Sequence, residues 1–346
     1  MKRRTIREGV AIVFSVVLGG LIGNAQTLRR WTGTVGSNWF ENANWDPTGV
    51  PVEGDTAWLG AGTLFVTNQT AGLGQFMMTG GTLVFSNWEA RLIASNLMIL
   101  TGTVTHVANS ATNAPWDPDA RVFFQCVNFF LGTAAVINVT EKGYRGGTTS
   151  ASGCGPGGGI FYSGGYPSGP SHGGLGGSSP SYTYPRNRLP YDKDDEPALP
   201  GSGGATSQYG RGGHGGGVVV IEASDWVILN GKVIANGGSH PTDFTANHAS
   251  GGAGGSIFIR CRRFAATNAV VEARGGNTAS QAGASAGAGG RISIQYDPEC
   301  QASGLVAGTR FSVAPGPWNN PGDMGTLYFL QNPVFSKLKT LCSAVR

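Results

Sequence analysis

Apolar residues in this chain come in short runs divided by polar or glycine-rich stretches. Between residues 55 and 107 the runs fall at 57–59, 63–67, 75–78, 82–85, 91–94, 97–100 and 103–107, with Gly, Asn and Thr between them. Runs this short at spacings near ten cannot form helices and suit strands. Apolar runs resume at 122–131 and 135–139, after a polar interruption at 108–121 that carries Pro115, Trp116 and Pro118. Thr101, Thr103 and Thr105 alternate along one run, which is the pattern of a strand's solvent side.

The later half is the most regular. Residues 216–238 align without a gap on residues 254–276, 38 positions further on. Each copy holds Gly-Gly, an apolar run, an aromatic (Trp226 or Phe264), a turn at Asn230 or Asn268, a second short run and a closing Gly-Gly. Residues 122–139 form a looser third copy, and 289–296 a partial fourth. A unit that repeats strands and turns, and carries no added chemistry, marks a stacked β-solenoid. The expected fold is all-β: a right-handed parallel β-helix of about eight to twelve rungs, with Val, Ile, Leu, Phe and Ala stacked inside. Glycine motifs at 213–217, 251–255 and 287–290 precede strands. They read as tight corners, where Gly admits φ > 0 and close chain approach. In this register Glu222 and Asp225 match Arg260 and Arg263, so opposite charges stack across neighbouring rungs. Cys126 and Cys261 take equivalent inward places, roughly 9–10 Å apart if a turn of the coil separates them, too far to bridge.

The first residues carry a different signal. Lys2, Arg3, Arg4 and Arg7, an apolar stretch at 10–23, and small Gly23 and Ala25 before Gln26 make the three-part pattern of a secretory signal peptide over 1–25. A membrane span needs about 20 apolar residues, so cleavage is expected and the mature chain has no membrane span. Trp31, Trp39 and Trp45 follow on a frame of Gly33, Gly36, Asn38, Asn44, Pro47 and Pro51. Three Trp among turn formers make an aromatic plug over the open end of the first rung; a sugar-stacking patch is the alternative.

Written out, 31–51 is W-x-G-x-x-G-x-N-W-x-x-x-A-N-W-x-P-x-x-V-P, followed by Gly54, Asp55 and Thr56. It resembles the segment that opens many bacterial secreted β-helix surface proteins, including autotransporter-like and filamentous-haemagglutinin-like passenger regions. Residues 289–296 with Gly325, Thr326, Leu327, Tyr328 and Phe329 resemble a G-G-R-I-x-I … G-T-[IVL]-Y-[LF] pattern of glycine-rich secreted proteins of environmental bacteria. The resemblance implies a bacterial protein, secreted or at the cell surface. It specifies no ligand.

Composition refines this picture. Gly fills 58 of 346 positions, more than twice the usual share of about 7%, yet no Gly-X-Y period marks collagen. Residues 143–217 hold much of that glycine together with Tyr162, Tyr166, Tyr182, Tyr184, Tyr191 and Tyr209. This insertion reads either as a disordered loop or as polyglycine-type extended segments packed side by side, with 157–162 ordered. Its 178–200 part favours a mobile excursion that leaves Asp192, Asp194, Asp195 and Glu196 solvated. The domain plan is thus a signal peptide at 1–25, a Trp-rich cap at 26–58, rungs at 59–142, the Gly/Tyr-rich insertion at 143–217, further rungs with Gly-rich corners at 218–335, and a tail at 336–346.

The formal charge of +4 rests on 24 basic and 20 acidic residues, and the first 25 residues hold four of the former and one of the latter. The mature chain is therefore nearly neutral. It has no basic, aromatic-interleaved stripe, which argues against nucleic acid as a partner. The glycines match neither a phosphate loop nor a periodic calcium repeat, and no G-x-S-x-G elbow occurs. His106, His172, His214, His240 and His248 lack metal-ligand spacing, and His172 and His214 read as solvated. The sequence nominates no catalytic residue, no metal ligand and no cofactor, and leaves binding residues unassigned. Two functions fit: a non-enzymatic surface or extracellular-matrix protein, structural or adhesive, and a carbohydrate-binding or polysaccharide-degrading β-helix. Cell-surface glycans or other matrix proteins are the expected partners.

Overall fold

In the computed structural model the described residues are 26–162, 166–178, 188–206, 210–240, 249–278, 285–302, 305–317 and 320–330. The segment read as a signal peptide, 1–25, the tail 336–346, Tyr182, Tyr184, Tyr209, His248 and Cys342 lie outside them. Among the described residues the chain is all-β, with one short 3-10 turn at Asn42–Asn44. The strands are β1 (Leu28–Trp31), β2 (Trp45–Asp46), β3 (Thr56–Leu59), β4 (Thr63–Val66), β5 (Leu73–Phe85), β6 (Leu92–His106), β7 (Val122–Asn138), β8 (Val218–Ala223), β9 (Trp226–Leu229) and β10 (Lys232–Ile234). Then come β11 (Ser256–Arg260), β12 (Arg263–Thr267), β13 (Val270–Glu272), β14 (Arg291–Gln295), β15 (Val306–Ala307), β16 (Arg310–Ser312) and β17 (Thr326–Phe329).

They form one mostly parallel sheet that does not close into a barrel. Its pairings sort the later strands into three columns: β8–β11–β14–β17, β9–β12–β15 and β10–β13–β16. The long strand β7 contributes to all three, through 122–126, 129–131 and 136–138. β5 and β6 are likewise continuous where the sequence pattern suggests separate runs, and their register shifts mark the bends. Only one pairing, β1 with β2, is antiparallel among these strands.

Alternation within each strand sends one side chain inward and the next outward. The inward ones stack like over like. Phe76, Leu97, Phe129, Val227 and Phe264 are register neighbours, as are Phe124, Ile221, Ile259, Ile294 and Phe329, and Leu83, Val104, Ile137, Val233, Val271 and Phe311. Almost all are fully buried, and each contributes about 1.5–3 kcal/mol of transfer free energy. Thr103 is exposed beside buried Val104, as the alternation requires.

The ungapped repeat alignment is off by one residue in its middle. β11 sits on β8 with an offset of 38 (Ser256 on Val218), and β13 on β10 with the same offset (Val270 on Lys232). β12, however, sits on β9 with Arg263 opposite Trp226 and Phe264 opposite Val227. Ser224 and Asp225 separate Ala223 from β9, whereas Arg262 alone separates Cys261 from β12. The next bend compensates, with Thr267, Asn268 and Ala269 against Asn230 and Gly231. Trp226 therefore points outward and Phe264 inward. Two aromatics aligned in sequence serve opposite faces.

The glycine motifs are not corners. They are extended arms that leave the sheet after the third column and return before the first. Segment 235–240 leaves β10 and segment 249–255 enters β11; 273–278 leaves β13 and 285–290 enters β14. Along 286–290 the successive N–H groups donate to the carbonyls of Asn320, Gly276, Pro170, Asp323 and Ala273. The neighbouring chains thus recur in a cycle of three: the 320s, the 270s, the 170s, then the 320s and the 270s again. Ser250 and Ala253 donate to Ala205 and Ser202, Gly252 and Gly255 to Gly238 and Ala235, and Gly254 to Ala288. A β-strand alternates between two neighbours, whereas three in rotation require a screw of about three residues per turn, the geometry of an extended left-handed helix without internal hydrogen bonds. The polyglycine-type reading of the insertion holds, and it extends to the arms of the regular repeats.

Glycine is needed here for contact, not for dihedral freedom. Of the arm glycines named above none has positive φ; instead a Cβ on Gly215 would lie 1.8 Å from Gly201 O, and one on Gly252 1.9 Å from His214 O. Positive φ appears at true bends of the first strands, at Gly62, Gly81 and Gly102. These three stack as well: a Cβ on Gly81 would lie 2.6 Å from Gly62 O, and one on Gly102 2.7 Å from Gly81 O.

The Trp residues form the plug expected of them. Trp31, Trp39 and Trp45 are buried, pack edge-to-face at centroid distances of 5.2 and 4.9 Å, and continue onto Phe76 at 6.1 Å. Trp45 Nε1 donates to Trp39 O at 2.8 Å. Rings enclosed in this way are not available for sugar stacking.

Gly252→Ala should lower thermal stability by more than about 2 kcal/mol, because its methyl meets a carbonyl that hydrogen bonds hold in place. Gly72→Ala, where no atom lies within 4 Å of the added carbon, should be neutral or stabilising by up to about 1 kcal/mol. Urea unfolding of the two variants beside the parent chain checks both.

Candidate functional site

The polar side chains that sequence reading leaves solvated are mostly structural. Segment 188–200 lies across the outward faces of β11 and β14. Ser256 Oγ donates to Leu199 O at 2.6 Å, Gln295 Nε2 to Asp195 O at 2.9 Å, and Ser293 Oγ to the same oxygen. Arg291 donates to Tyr191 O at 2.7 Å through Nη2 and pairs with Asp194. Asp192 is almost fully buried and accepts from Ala198 N and Leu199 N at 2.8 and 2.7 Å. Burial opposes ionisation of Asp192, but His172 and the Leu199 and Lys193 N–H groups outweigh it and hold its pKa below the ordinary value. Of the stretch expected to be mobile, 179–187 lie outside the described residues. The mobile reading fails for 188–200 and the solvated one fails for Asp192, whereas Asp194 and Asp195 are exposed and Glu196 half-exposed as expected. Sequence alone gives polar composition there, and the acceptors on the sheet's outer face are remote in the chain.

His172 and His214 are also inside the assembly of arms. His172 is fully buried, its Nδ1 2.6 Å from Gly254 O and its ring 4.7 Å from that of Tyr191. Tyr191 hydrogen-bonds Pro200 O and Ser202 Oγ at 2.6 and 2.8 Å, and burial pushes its pKa well up. His214 Nδ1 accepts from Gly146 N at 2.9 Å. His106 bridges two strand sets, with Nδ1 at 2.7 Å from Val107 O and Nε2 accepting from Val218 N at 3.1 Å. Burial lowers the pKa of both His106 and His214 to about 4.

Cys126 and Cys261 are buried free thiols with β8 between them, and burial pushes both pKa values up to about 12. Such thiols are poor nucleophiles. Among the described residues no three His, Cys, Asp or Glu side chains converge as a metal site, and no helix is long and apolar enough to cross a membrane.

What remains outward is a set of stacked charges and rings. Arg263 grips Asp225 through both carboxylate oxygens at 2.6 Å and lies 4.4 Å from the Trp226 ring centroid. Arg260 lies 5.1 Å from the Phe258 centroid, 3.7 Å from Glu222, and pairs with Glu196. The expected opposite-charge stack across repeats is present, and it bears no row of carboxylates. On the outward side of the first column, where Phe123, Val220 and Phe258 are register neighbours, Trp88, Arg121, Phe123 and Arg91 alternate ring and cation, with guanidinium-to-centroid distances of 4.4, 4.7 and 4.9 Å. Sequence reading does not single out these four. The available signal is that Arg91 and Arg121 each stand at the start of an apolar run, but their meeting on one ring follows from the β6–β7 register.

The pH dependence follows from the two histidines. Above pH 6.5 neither state of the protein protonates them; between 6.5 and about 4 the unfolded chain takes up protons that the folded chain refuses. Stability should fall as pH drops through that window, by on the order of 3 kcal/mol for His106 alone. Urea midpoints from pH 7 to 4.5 check this, with a shallower slope expected for His106→Gln and a flat profile in the parent contradicting it.

No protein family, curated protein or solved structure matches this chain, so its function is argued from its own geometry.

Proposed function

We propose that the chain is an exported, non-enzymatic surface or extracellular-matrix protein, structural or adhesive, built as a right-handed parallel β-solenoid. The solenoid reading draws support from three parallel strand columns joined in the same order in successive repeats. Right-handed winding is the hand that parallel crossovers take in nearly all sheets. Autotransporter-like or haemagglutinin-like kinship rests on the Trp-rich and G-T-L-Y-F patterns alone.

One observation carries the non-enzymatic reading. The groups whose ionisation is most perturbed, His106, His214, Tyr144, Tyr191, Tyr296, Cys126 and Cys261, are engaged with backbone or buried in the core. Perturbed groups in an enzyme converge on a cleft with free faces toward substrate. Here they tie one chain segment to another. A carbohydrate-binding surface is the second reading, favoured by the cation–ring stack at Trp88, Arg121, Phe123 and Arg91, in which Phe123 is buried and the other three are partly exposed.

Expression of the full chain in a bacterial host, followed by fractionation and N-terminal sequencing, tests export. A product outside the inner membrane that begins at Gln26 is expected. Recovery in the cytoplasm with 1–25 intact contradicts the proposal, as does release of reducing or unsaturated sugar ends from polysaccharides incubated with the purified protein.

A further inference from the structure

Four arginines on the outward faces stack on aromatic rings, and they divide into two kinds. Arg263 and Arg260 have carboxylates within reach, Asp225 for the first and Glu222 and Glu196 for the second. Arg121 and Arg91 flank Phe123 and share a single nearby carboxylate, Glu89, which lies 3.6 Å from Arg91 and is 67% exposed. Glu222 also acts on Arg121, but from a distance, and is itself occupied by Arg260.

The hydrogen-bond donors divide in the same way. Arg121 donates through Nε to Trp88 O at 3.0 Å, its one hydrogen bond among the described residues. Arg91 Nε is buried without an acceptor. Arg121 is partly buried, and that burial lowers its pKa with Glu89 opposing. A guanidinium stays charged under such pressure. Leaving its donors unmet is costly, and a carboxylate that accepts two parallel N–H bonds removes that cost. Trp88 and Phe123 meanwhile hold the guanidinium planes in place, so little side-chain freedom remains to be lost on binding.

We propose that Arg91 and Arg121, fixed by Trp88 and Phe123, form a binding site for the carboxylates of an acidic polysaccharide. The choice of polysaccharide rests on the exported-surface reading above; the anion site rests on the stack. A phosphate chain calls for a stripe of many cations, whereas two guanidiniums held in place suit planar carboxylates, each able to accept a pair of parallel N–H bonds.

The test uses the mature full chain, titrated calorimetrically at low salt with polygalacturonate, neutral dextran and single-stranded DNA. Polygalacturonate should bind, dextran should not, and DNA should bind more weakly. Arg91→Gln with Arg121→Gln should weaken polygalacturonate binding at least tenfold, Arg263→Gln should leave it unchanged, and Glu89→Gln should tighten it several-fold. The last variant keeps the test decisive if the double variant does not fold. Equal binding of dextran, tighter binding of DNA, or no response to Glu89→Gln overturns the proposal. A chain that is exported but fails these titrations loses this site and keeps the scaffold; one that binds polygalacturonate from the cytoplasm loses the surface reading and keeps the site.

Discussion

A backbone without Cβ atoms can approach another backbone from any side, and the whole molecule depends on that. In the glycine arms, each extended chain lies close enough to its neighbours for their carbonyls to occupy the place of a missing methyl. Every N–H and C=O in a buried segment needs a partner. Strands meet that need with two neighbours, and these arms meet it with three. The result buries chain without a conventional hydrophobic core, using hydrogen bonds and close packing in place of large side chains.

The sheet and the arms stabilise each other through shared residues. Gly217 donates to Val139 O and Ser256 to Gly217 O, so each arm enters its strand already in register. Stacked Ile, Val and Phe side chains then fix the spacing of the strands, and this spacing sets the arms at the distance glycine contacts require. Polar side chains join the two layers: His106 reaches Val218, Arg291 reaches Tyr191 and His172, and Ser256 reaches Leu199. Ordering glycine costs more conformational entropy than ordering any other residue, so an arm would not hold its shape alone. Attachment to the strands at both ends reduces that cost.

Much of this is legible in the sequence, and the failures have physical causes. Short apolar runs and the 38-residue repeat give the all-β parallel arrangement, the inward Cys126 and Cys261, and the pairing of Arg260 with Glu222. The aligned Trp226 and Phe264 mislead because two compensating bend lengths cancel over the repeat. The Gly-Gly motifs mislead because glycine's usual role at a bend hides its other property, close approach over a long extended segment. Segment 188–200 misleads because polar composition says nothing about which distant serines and arginines await it. The cation–ring stack is silent in the sequence: Trp88 and Arg121 are 33 residues apart and meet only through strand pairing.

If the arms are a hydrogen-bonded assembly, their amides must exchange slowly despite a composition that resembles a flexible linker. Amide hydrogen exchange read by mass spectrometry over 212–216, 250–255 and 286–290 tests this most directly. Protection comparable to that of β8, β11 and β14 is the predicted result. Exchange at the rate of an unstructured glycine-rich peptide, with the strands still protected, would contradict the account.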